Sequence, residues 1–341
     1  MLGHAGHIRL IDIARKAGVT PAVVSQVLNN RTSTIRVSVQ KREAILDIAK
    51  QLEYMPDINA RALRGETTGM IGVLADSHAP DTAHQLIQQL ETKAMEAGLR
   101  VLIGEYHDNA KAMEKAFRQL CRHGVDSLVV LSHDYPDLND EITSIFAHSP
   151  RTLFIGKPFI PGCPHIVIDR AAGIREAVRH LHEKGRERIA HLVMKNVKTF
   201  DNLDKFQGYQ EEIQSGHEII IPCNWPTADM DALRLELRNS VQEIIIPRKV
   251  DGLIAINDLL ALMLYGELAR FGLRVPEDIA IVGHDNLLVS QCMSPKLTTI
   301  DENKELVTSS ILDVINAFER NETPITATVT VPTRLVIRDS T

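Results

Sequence analysis

The chain has little of what would mark it as exported, membrane-bound or catalytic. Its 341 residues include only four cysteines, Cys121, Cys163, Cys223 and Cys292, each far from the others in sequence. That spacing suits neither a zinc quartet nor a redox pair, so they read as reduced thiols. No apolar run approaches the ~20 residues of a membrane span. The opening Met1-Leu2-Gly3-His4-Ala5-Gly6-His7 has neither the basic start nor the apolar stretch of an export signal. A cytoplasmic location is the expectation. Also missing are the GxGxxG, GxxxxGK(S/T) and GxSxG patterns, which cradle phosphates or present a nucleophile. His180-Leu181-His182-Glu183 is no zinc motif, because helical neighbours two apart point to different faces.

What is present is unevenly placed charge. The total is −6, yet residues 1–65 carry ten Lys and Arg against five Asp and Glu, a head of +5 before a body of −11. Such a division suits phosphate contact confined to one end. Within the head, Leu10, Ile13, Ala14 and Ala17 are spaced to form one stripe of a helix. Gly18 supplies the left-handed residue that ends it, and Thr20-Pro21 opens another helix with a capping hydroxyl and a proline where no N–H is missed. Two short helices joined so tightly make a helix-turn-helix, whose second helix enters the DNA major groove. On that helix Ala22, Gln26 and Asn29 share the face opposite Val24, Val27 and Leu28, within reach of base edges.

A third helix is expected from Ser38, a good N-cap, to about Leu52, closing a small core over Ile13, Val19, Val24 and Val27. After Tyr54-Met55-Pro56, the stretch Asp57–Gly65 reads as a two-turn helix, too short to be stable alone. It should order against DNA and a partner copy. From Met70 onward apolar strands alternate with amphipathic helices, with strands at 70–75, 99–104, 126–131, 152–156, 165–169, 189–194, 251–256 and 279–283. Continuous apolar strands between helices imply doubly wound parallel sheets covered on both faces. About 270 residues of this pattern exceed one comfortable core, so two α/β lobes are expected. Val241–Ile246 is ambiguous between strand and buried helix.

Several of these stretches resemble a known family. Asp12-Ile13-Ala14, Ala17-Gly18-Val19, Val24-Ser25 and Val27-Leu28-Asn29 resemble the head of the lactose-repressor (LacI) family, and Ala60-Arg61-Ala62-Leu63-Arg64-Gly65 its hinge helix. Asn257-Asp258, Gly272–Ile279, Val282-Gly283-His284-Asp285 and Leu297-Thr298-Thr299-Ile300 resemble its C-terminal half. The resemblance implies a dimeric transcription regulator, most simply a repressor, on a pseudo-palindromic operator. A periplasmic-binding-protein-like body would bind a small-molecule effector between its lobes. The implied divisions are a helix-turn-helix domain at 1–55, hinge and linker at 56–67, and an effector-binding and dimerisation body at 68–341. Because the chain of such a body crosses between lobes three times, the first lobe would take about 68–165 and 293–325, the second about 166–292 and 326–341. No leucine heptad of the tetramer-forming kind follows Arg338, so a homodimer is the expectation.

The resemblance also assigns residues. Pro21, Ala22 and Gln26 occupy base-reading positions, supported by Thr20, Ser25 and Asn29. Leu63 would wedge into a central minor-groove step with Asn59 and Ala60 along the groove floor. Gln26 stands where the family usually has Arg, and glutamine pairs best with adenine rather than guanine. Asn257 and Asp285 are the implied effector contacts, and Lys205 replaces the family's usual Arg, keeping the charge but losing the fork.

Ligands of open parallel sheets lie beyond the strands' carboxyl ends, which here carry Asp76-Ser77-His78, Lys157, Asp169-Arg170, Asn257-Asp258 and His284-Asp285. Ser77, Asp169, Lys205, Asn257 and Asp285 suit the hydroxyls of a sugar or related metabolite, and Trp225 could stack on its face. His78, His84, His107 and His133 read as polar rim groups. No metal, cofactor or catalytic residue is expected. The alternatives are an α/β enzyme acting on a sugar or nucleotide with an accessory helical head, and an exported sugar-binding protein, which the basic head and the missing export signal disfavour.

Overall fold

Gly18, at φ 63°, takes the left-handed conformation that ends α1 (Leu10–Ala17), and its N–H donates to the Ala14 carbonyl. The chain then turns at once into α2 (Pro21–Leu28), followed by α3 (Val39–Gln51), whose N-cap Ser38 accepts the Lys41 N–H at 3.3 Å. Ile13, Ala14 and Ala17 meet Val24 and Val27 of α2 and Ile45 and Ala49 of α3 in one small core. The computed structural model describes residues 8–28, 36–54, 67–76, 81–106, 109–131, 139–147, 149, 151–157, 159–195, 199–225, 229–320 and 328–341. The chain divides into two units, Met1–Glu66 and Thr67–Thr341. The expected hinge helix at 57–65 lies outside the described residues, as do Asn29, Asn59, Ala60, Leu63, Ser77, His78, His107 and His133.

The described strands of the second unit run β1 (Met70–Asp76), β2 (Arg100–Tyr106), β3 (Ser127–Leu131), β4 (Thr152–Ile155), β5 (His165–Asp169) and β6 (Ile189–Met194). Then come β7 (Ile219–Cys223), β8 (Gly252–Ile254), β9 (Ala280–His284), β10 (Thr298–Asp301), β11 (Thr328–Pro332) and β12 (Arg334–Val336). They form two six-stranded sheets, β2-β1-β3-β4-β5-β11 and β7-β6-β8-β9-β10-β12. Both begin with the same doubly wound order, so each lobe repeats one plan. All pairings are parallel except β12, which runs antiparallel to β10. Every residue of β3, β4, β8, β9 and β10 is buried, as a sheet covered on two faces requires.

The helices of this unit are α4 (Asp81–Glu96), α5 (Ala110–Arg122), α6 (Asn139–Phe146), α7 (Arg170–Glu183) and α8 (Phe200–Glu212). They continue with α9 (Met230–Ser240), α10 (Asp258–Arg270), α11 (Leu288–Cys292) and α12 (Lys304–Glu319). Side-chain caps start many of them: Asn109 for α5, Asp169 for α7, Thr199 for α8, Asp229 for α9 and Asn257 for α10. The first sheet is covered on one face by α4 and α12, through Leu86, Leu90, Val307, Ile311 and Phe318, and on the other by α5 and α6. Sheet two has α9 and α10 on one face and α7 and α8 on the other. Val241–Ile245 is a π-helical turn continuing α9, which carries Val241 and Ile245 into the core.

The lobe boundaries differ from those expected at about 165, 292 and 325. β5 pairs with β4 and β11, so the first crossing comes at Asp169–Arg170. β10 belongs to the second sheet and α12 packs on the first, so the next falls at Glu302–Asn303. The last is Thr333, between β11 and β12. Each boundary is decided by which distant strand a segment pairs with, and local composition does not encode that.

Tyr209 of α8 fixes the edge of the second sheet. Its buried hydroxyl donates to the Ile189 carbonyl of β6 at 2.8 Å and accepts the Ile219 N–H of β7 at 2.9 Å. Tyr209→Phe strands a buried N–H, which costs about 1.5 kcal/mol. Urea unfolding should show that loss with an unchanged slope.

Candidate functional site

On α2 the structure exposes Thr20, Pro21 and Ala22, leaves Ser25 and Gln26 half-buried, and buries Val24 and Val27. The Thr20 carbonyl accepts the N–H groups of Val23 and Val24, so the helix begins immediately after the turn. Thr20, Pro21 and Ala22 thus lie away from the core, and Ser25 and Gln26 are partly accessible beside it. Of the residues expected to meet DNA, Asn29, Asn59, Ala60 and Leu63 lie outside the described residues.

In the second unit the crossing segments are laced to one another. Arg170 at the first crossing donates through Nε to Glu302 Oε1 at the second, at 2.6 Å, and its Nη1 meets Asp201 Oδ1 of α8 at 2.6 Å. Arg334 beyond the third crossing donates to Asp301 Oδ2 at 3.0 and 2.7 Å. The Thr333 hydroxyl donates to the Asp169 carbonyl at 2.9 Å. Across the cleft, Lys157 at the end of β4 donates to both oxygens of Asp204 on α8, at 2.8 and 2.9 Å. Among the described residues, this ion pair joins the lobes directly, while the others hold the hinge.

Four of the expected effector residues meet at this place. Asp169 caps α7, accepting the Ala172 N–H at 2.9 Å. Asn257 caps α10 through its carbonyl oxygen, accepting the Leu260 N–H at 2.9 Å, which leaves its NH2 group as a donor. Lys205 reaches from α8 to the Ile256 carbonyl at 3.2 Å. Asp285 follows β9 at φ 103°, a left-handed backbone that a residue with a Cβ takes up at a cost of roughly 1–3 kcal/mol. Its N–H donates to the Ile300 carbonyl of β10, and its Oδ1 accepts His284 Nδ1–H at 2.8 Å. Strain held at a strand's carboxyl end belongs with a function there. Trp225, by contrast, packs partly buried against the second lobe's core, beyond edge strand β7. Ser77 lies outside the described residues.

Beside Asp285 the structure places groups the sequence reasoning had not singled out. The buried Glu302 and Lys304 and the half-buried Asp201 join Arg170, Lys205 and His284 in one charged patch. Burial pushes the Glu302 carboxyl up, but Arg170 foremost pulls it back below the usual carboxylate range. Burial drives the His284 imidazole well down, so it is neutral. Asp258, wholly buried, is pushed up to about 7, chiefly by burial. It accepts the Thr299 hydroxyl at 2.6 Å and the Leu287 N–H at 2.7 Å. Gly283 is required beside it, because a Cβ there would collide with the Asp258 carboxylate. Glu302 and Lys304 were detectable in principle, since they directly follow Leu297–Ile300 at a strand's carboxyl end. Among the described residues, His284, Asp285 and Glu302 come near enough to share a cation, their ligand atoms lying within 4.8 Å of one another. Yet His284 Nδ1 is committed to Asp285, Glu302 to Arg170, and Arg170, Lys205 and Lys304 crowd the spot with positive charge.

A helix-turn-helix unit and a two-lobed body with a polar, charge-rich hinge cleft define a ligand-responsive DNA-binding regulator. Comparison with known proteins agrees. Residues 9–57 match the profile of bacterial regulatory proteins of the lacI family, and residues 178–341 that of the periplasmic binding protein-like domain. The HTH-type transcriptional regulator GalR of Escherichia coli (strain K12) is 30% identical over 296 residues, 85% of this chain and 82% of that protein. Among solved structures, the Lac repressor dimer bound to operator and the anti-inducer ONPF superposes with TM-score 0.83 at 23% identity, covering 98% of this chain and 99% of that one. The complex of the transcriptional regulator CelR with cellobiose gives 0.67 at 22%, covering 98% and 100%. The chain belongs to the lacI family of bacterial regulatory proteins. It is a transcriptional regulator and not an enzyme. No helix among the described residues is long and apolar enough to cross a membrane.

Proposed function

We propose that this protein is a cytoplasmic homodimeric repressor whose grip on a pseudo-palindromic operator is set by a sugar-like effector held between the two lobes. The observation that carries this reading is the convergence of Asp169, Lys205, Asn257 and Asp285 on the lobe crossings, where a bound molecule acts on the hinge. An effector that binds one arrangement of the lobes better shifts the population toward it. In this reading residues 1–55 read DNA, 56–67 form the hinge helix with Leu63 as the minor-groove wedge beside Asn59 and Ala60, and 68–341 sense and dimerise. Thr20, Pro21, Ala22, Ser25, Gln26 and Asn29 make the major-groove contacts. The operator structure of the Lac repressor dimer and the cellobiose complex of CelR support the two halves of this assignment.

Operator selection from randomised duplexes tests it. The full-length protein should retain a palindrome with a fixed A·T pair in each half-site, read by Gln26. Gln26→Arg should move that preference to G·C, and Gln26→Ala should flatten it and weaken binding about tenfold, a bidentate base contact being worth ~1–3 kcal/mol. Retention of all duplexes alike would overturn the reading, and a G·C pair already fixed opposite Gln26 would overturn the base assignment.

A further inference from the structure

The three crossings of the chain are braced against one another, each to both of the others. Arg170 bonds to Glu302, Arg334 to Asp301, and the Thr333 hydroxyl to the Asp169 carbonyl. Breaking the Arg170–Glu302 pair would strand a carboxylate whose side chain is only 6% exposed, and a buried charge without its partner is costly. The crossings therefore act as a pivot about which the lobes turn as units.

Lys157 and Asp204 form a different kind of contact. Their side chains are 26% and 21% exposed, so water reaches both when they part and the net gain from pairing is small. Their attachments are firm. The Gly156 N–H donates to the Ile166 carbonyl of β5 at 2.7 Å, which ties the base of Lys157 to the first sheet. Asp204 stands on α8, which Tyr209 bonds to β6 and β7 of the second. Holding this pair therefore holds lobe to lobe. Asp204 also lies one turn from Asp201, and like charges at that spacing repel. Each acid is matched with a cation from elsewhere, Asp201 with Arg170 of the pivot and Asp204 with Lys157 of the opposite lobe. Lys205, next along α8, donates to the Ile256 carbonyl, so the turn that carries Asp204 also carries an expected effector contact.

We propose that the Lys157–Asp204 pair is a releasable latch across the cleft, which sets the resting balance between two arrangements of the lobes about the braced pivot, and with it the resting grip on DNA. The last step rests on the reading of this protein as a repressor governed from its cleft. A latch of this kind must be weak. A contact as costly to break as Arg170–Glu302 would hold one arrangement whatever was bound, whereas a partly hydrated pair shifts the balance by only about threefold, within reach of an effector's differential affinity. An effector seated against Lys205 acts on the same turn of α8 and so biases the same equilibrium.

The test uses the full-length protein and reads lobe separation by pulsed electron resonance between two spin labels. One label sits on Cys121, exposed near the end of α5 in the first lobe, and the other on Ser215→Cys, exposed beyond α8 in the second, with Cys292→Ser removing the other exposed thiol. Excess unlabelled subunits confine each measured distance to one chain. Lys157→Glu turns attraction into repulsion and should shift the balance about tenfold, seen as a second distance population, and Lys157→Met about threefold. The swapped pair, Lys157→Glu with Asp204→Lys, should restore the wild-type distribution. Affinity for the duplex recovered by operator selection should follow, displaced in Lys157→Glu and returned in the swap. Identical distributions in wild type and Lys157→Glu would overturn the latch, as would a swap that restores nothing. A thermal midpoint lowered by more than a few degrees in Lys157→Met would also overturn it, by making the pair a prop of the fold. A second population with unaltered operator affinity would overturn the coupling to DNA, and with it the reading of the cleft as the control site, while the latch between the lobes stands.

Discussion

Arg170→Met should lower the stability of the second unit by about 3 kcal/mol and abolish its response to any effector, because it leaves a buried carboxylate without its cation. Methionine replaces most of the volume, so the loss is electrostatic. The Glu302 side chain is 6% exposed and bonded to Arg170 at 2.6 Å, whereas Asp201, at 38%, recovers water when the guanidinium goes. Most of the cost therefore falls on Glu302. The pH dependence identifies it. In the wild type Glu302 is held below its ordinary 4.5, so it contributes stability that is full above about pH 4.5 and is lost as pH falls through the lower folded value. Without Arg170, burial dominates and the folded value rises above 4.5. The carboxyl then destabilises at neutral pH, a penalty that disappears as the group takes up its proton. The gap between variant and wild type should thus be widest near pH 7 and narrow below pH 4.5 in chemical unfolding. A gap independent of pH would show that Arg170 acts through packing alone. Arg170 also ties the first crossing to the second, so the variant should keep operator binding while effector no longer alters it.

The head was legible because its signals are local. Gly18, Pro21, Ser38 and the apolar spacing from Leu10 to Leu52 each act within a few residues, and the structure places α1 to α3 where they indicate. Most strands of the body were legible for the same reason, their runs of Val, Ile and Leu being buried on both faces. Segments whose state depends on distant partners were not. Thr328–Pro332 and Arg334–Val336 are short and partly exposed, and they are strands only because β5 and β10 offer them an edge. Val241–Ile246 has the composition of a strand, but continuing directly from α9 places Val241 and Ile245 in a core that a strand there would miss. The site divides in the same manner. Asp169, Asn257 and Asp285 stand at strand ends, and the strand-end rule finds them. Asp201 and Asp204 lie on a helix, and their pairing with Arg170 and Lys157 joins segments more than thirty residues apart, a relation no spacing in the chain announces.

Gly208→Val should cost about 4 kcal/mol, lowering the thermal midpoint of the second unit by about 10 °C, because α7 and α8 touch there backbone to backbone. A Cβ at Gly208 would collide with the Ala171 carbonyl oxygen and come within 2.9 Å of the Ala171 Cα, neither of which can swing aside as a side chain would. Two effects compete in the smaller variant. Gly208→Ala gains ~1 kcal/mol of helix propensity and loses about 3 kcal/mol to the collision, a net loss of about 2 kcal/mol. The pair of variants should therefore melt in the order wild type, alanine, valine. The consequence for function follows from what the two helices carry. Arg170 opens α7, and Asp201, Asp204 and Lys205 line α8, so helices forced apart by even 1 Å lengthen the 2.6 Å Arg170–Asp201 pair and displace Lys205 from the lip of β8. Effector binding should weaken in both variants beyond what their stability predicts, while operator binding by the head at 20 °C is retained. If Gly208→Val melts within 2 °C of wild type, the close approach of α7 and α8 does not set the geometry of this cleft. Retained melting with lost effector binding would instead place the fault in the ligand contacts themselves.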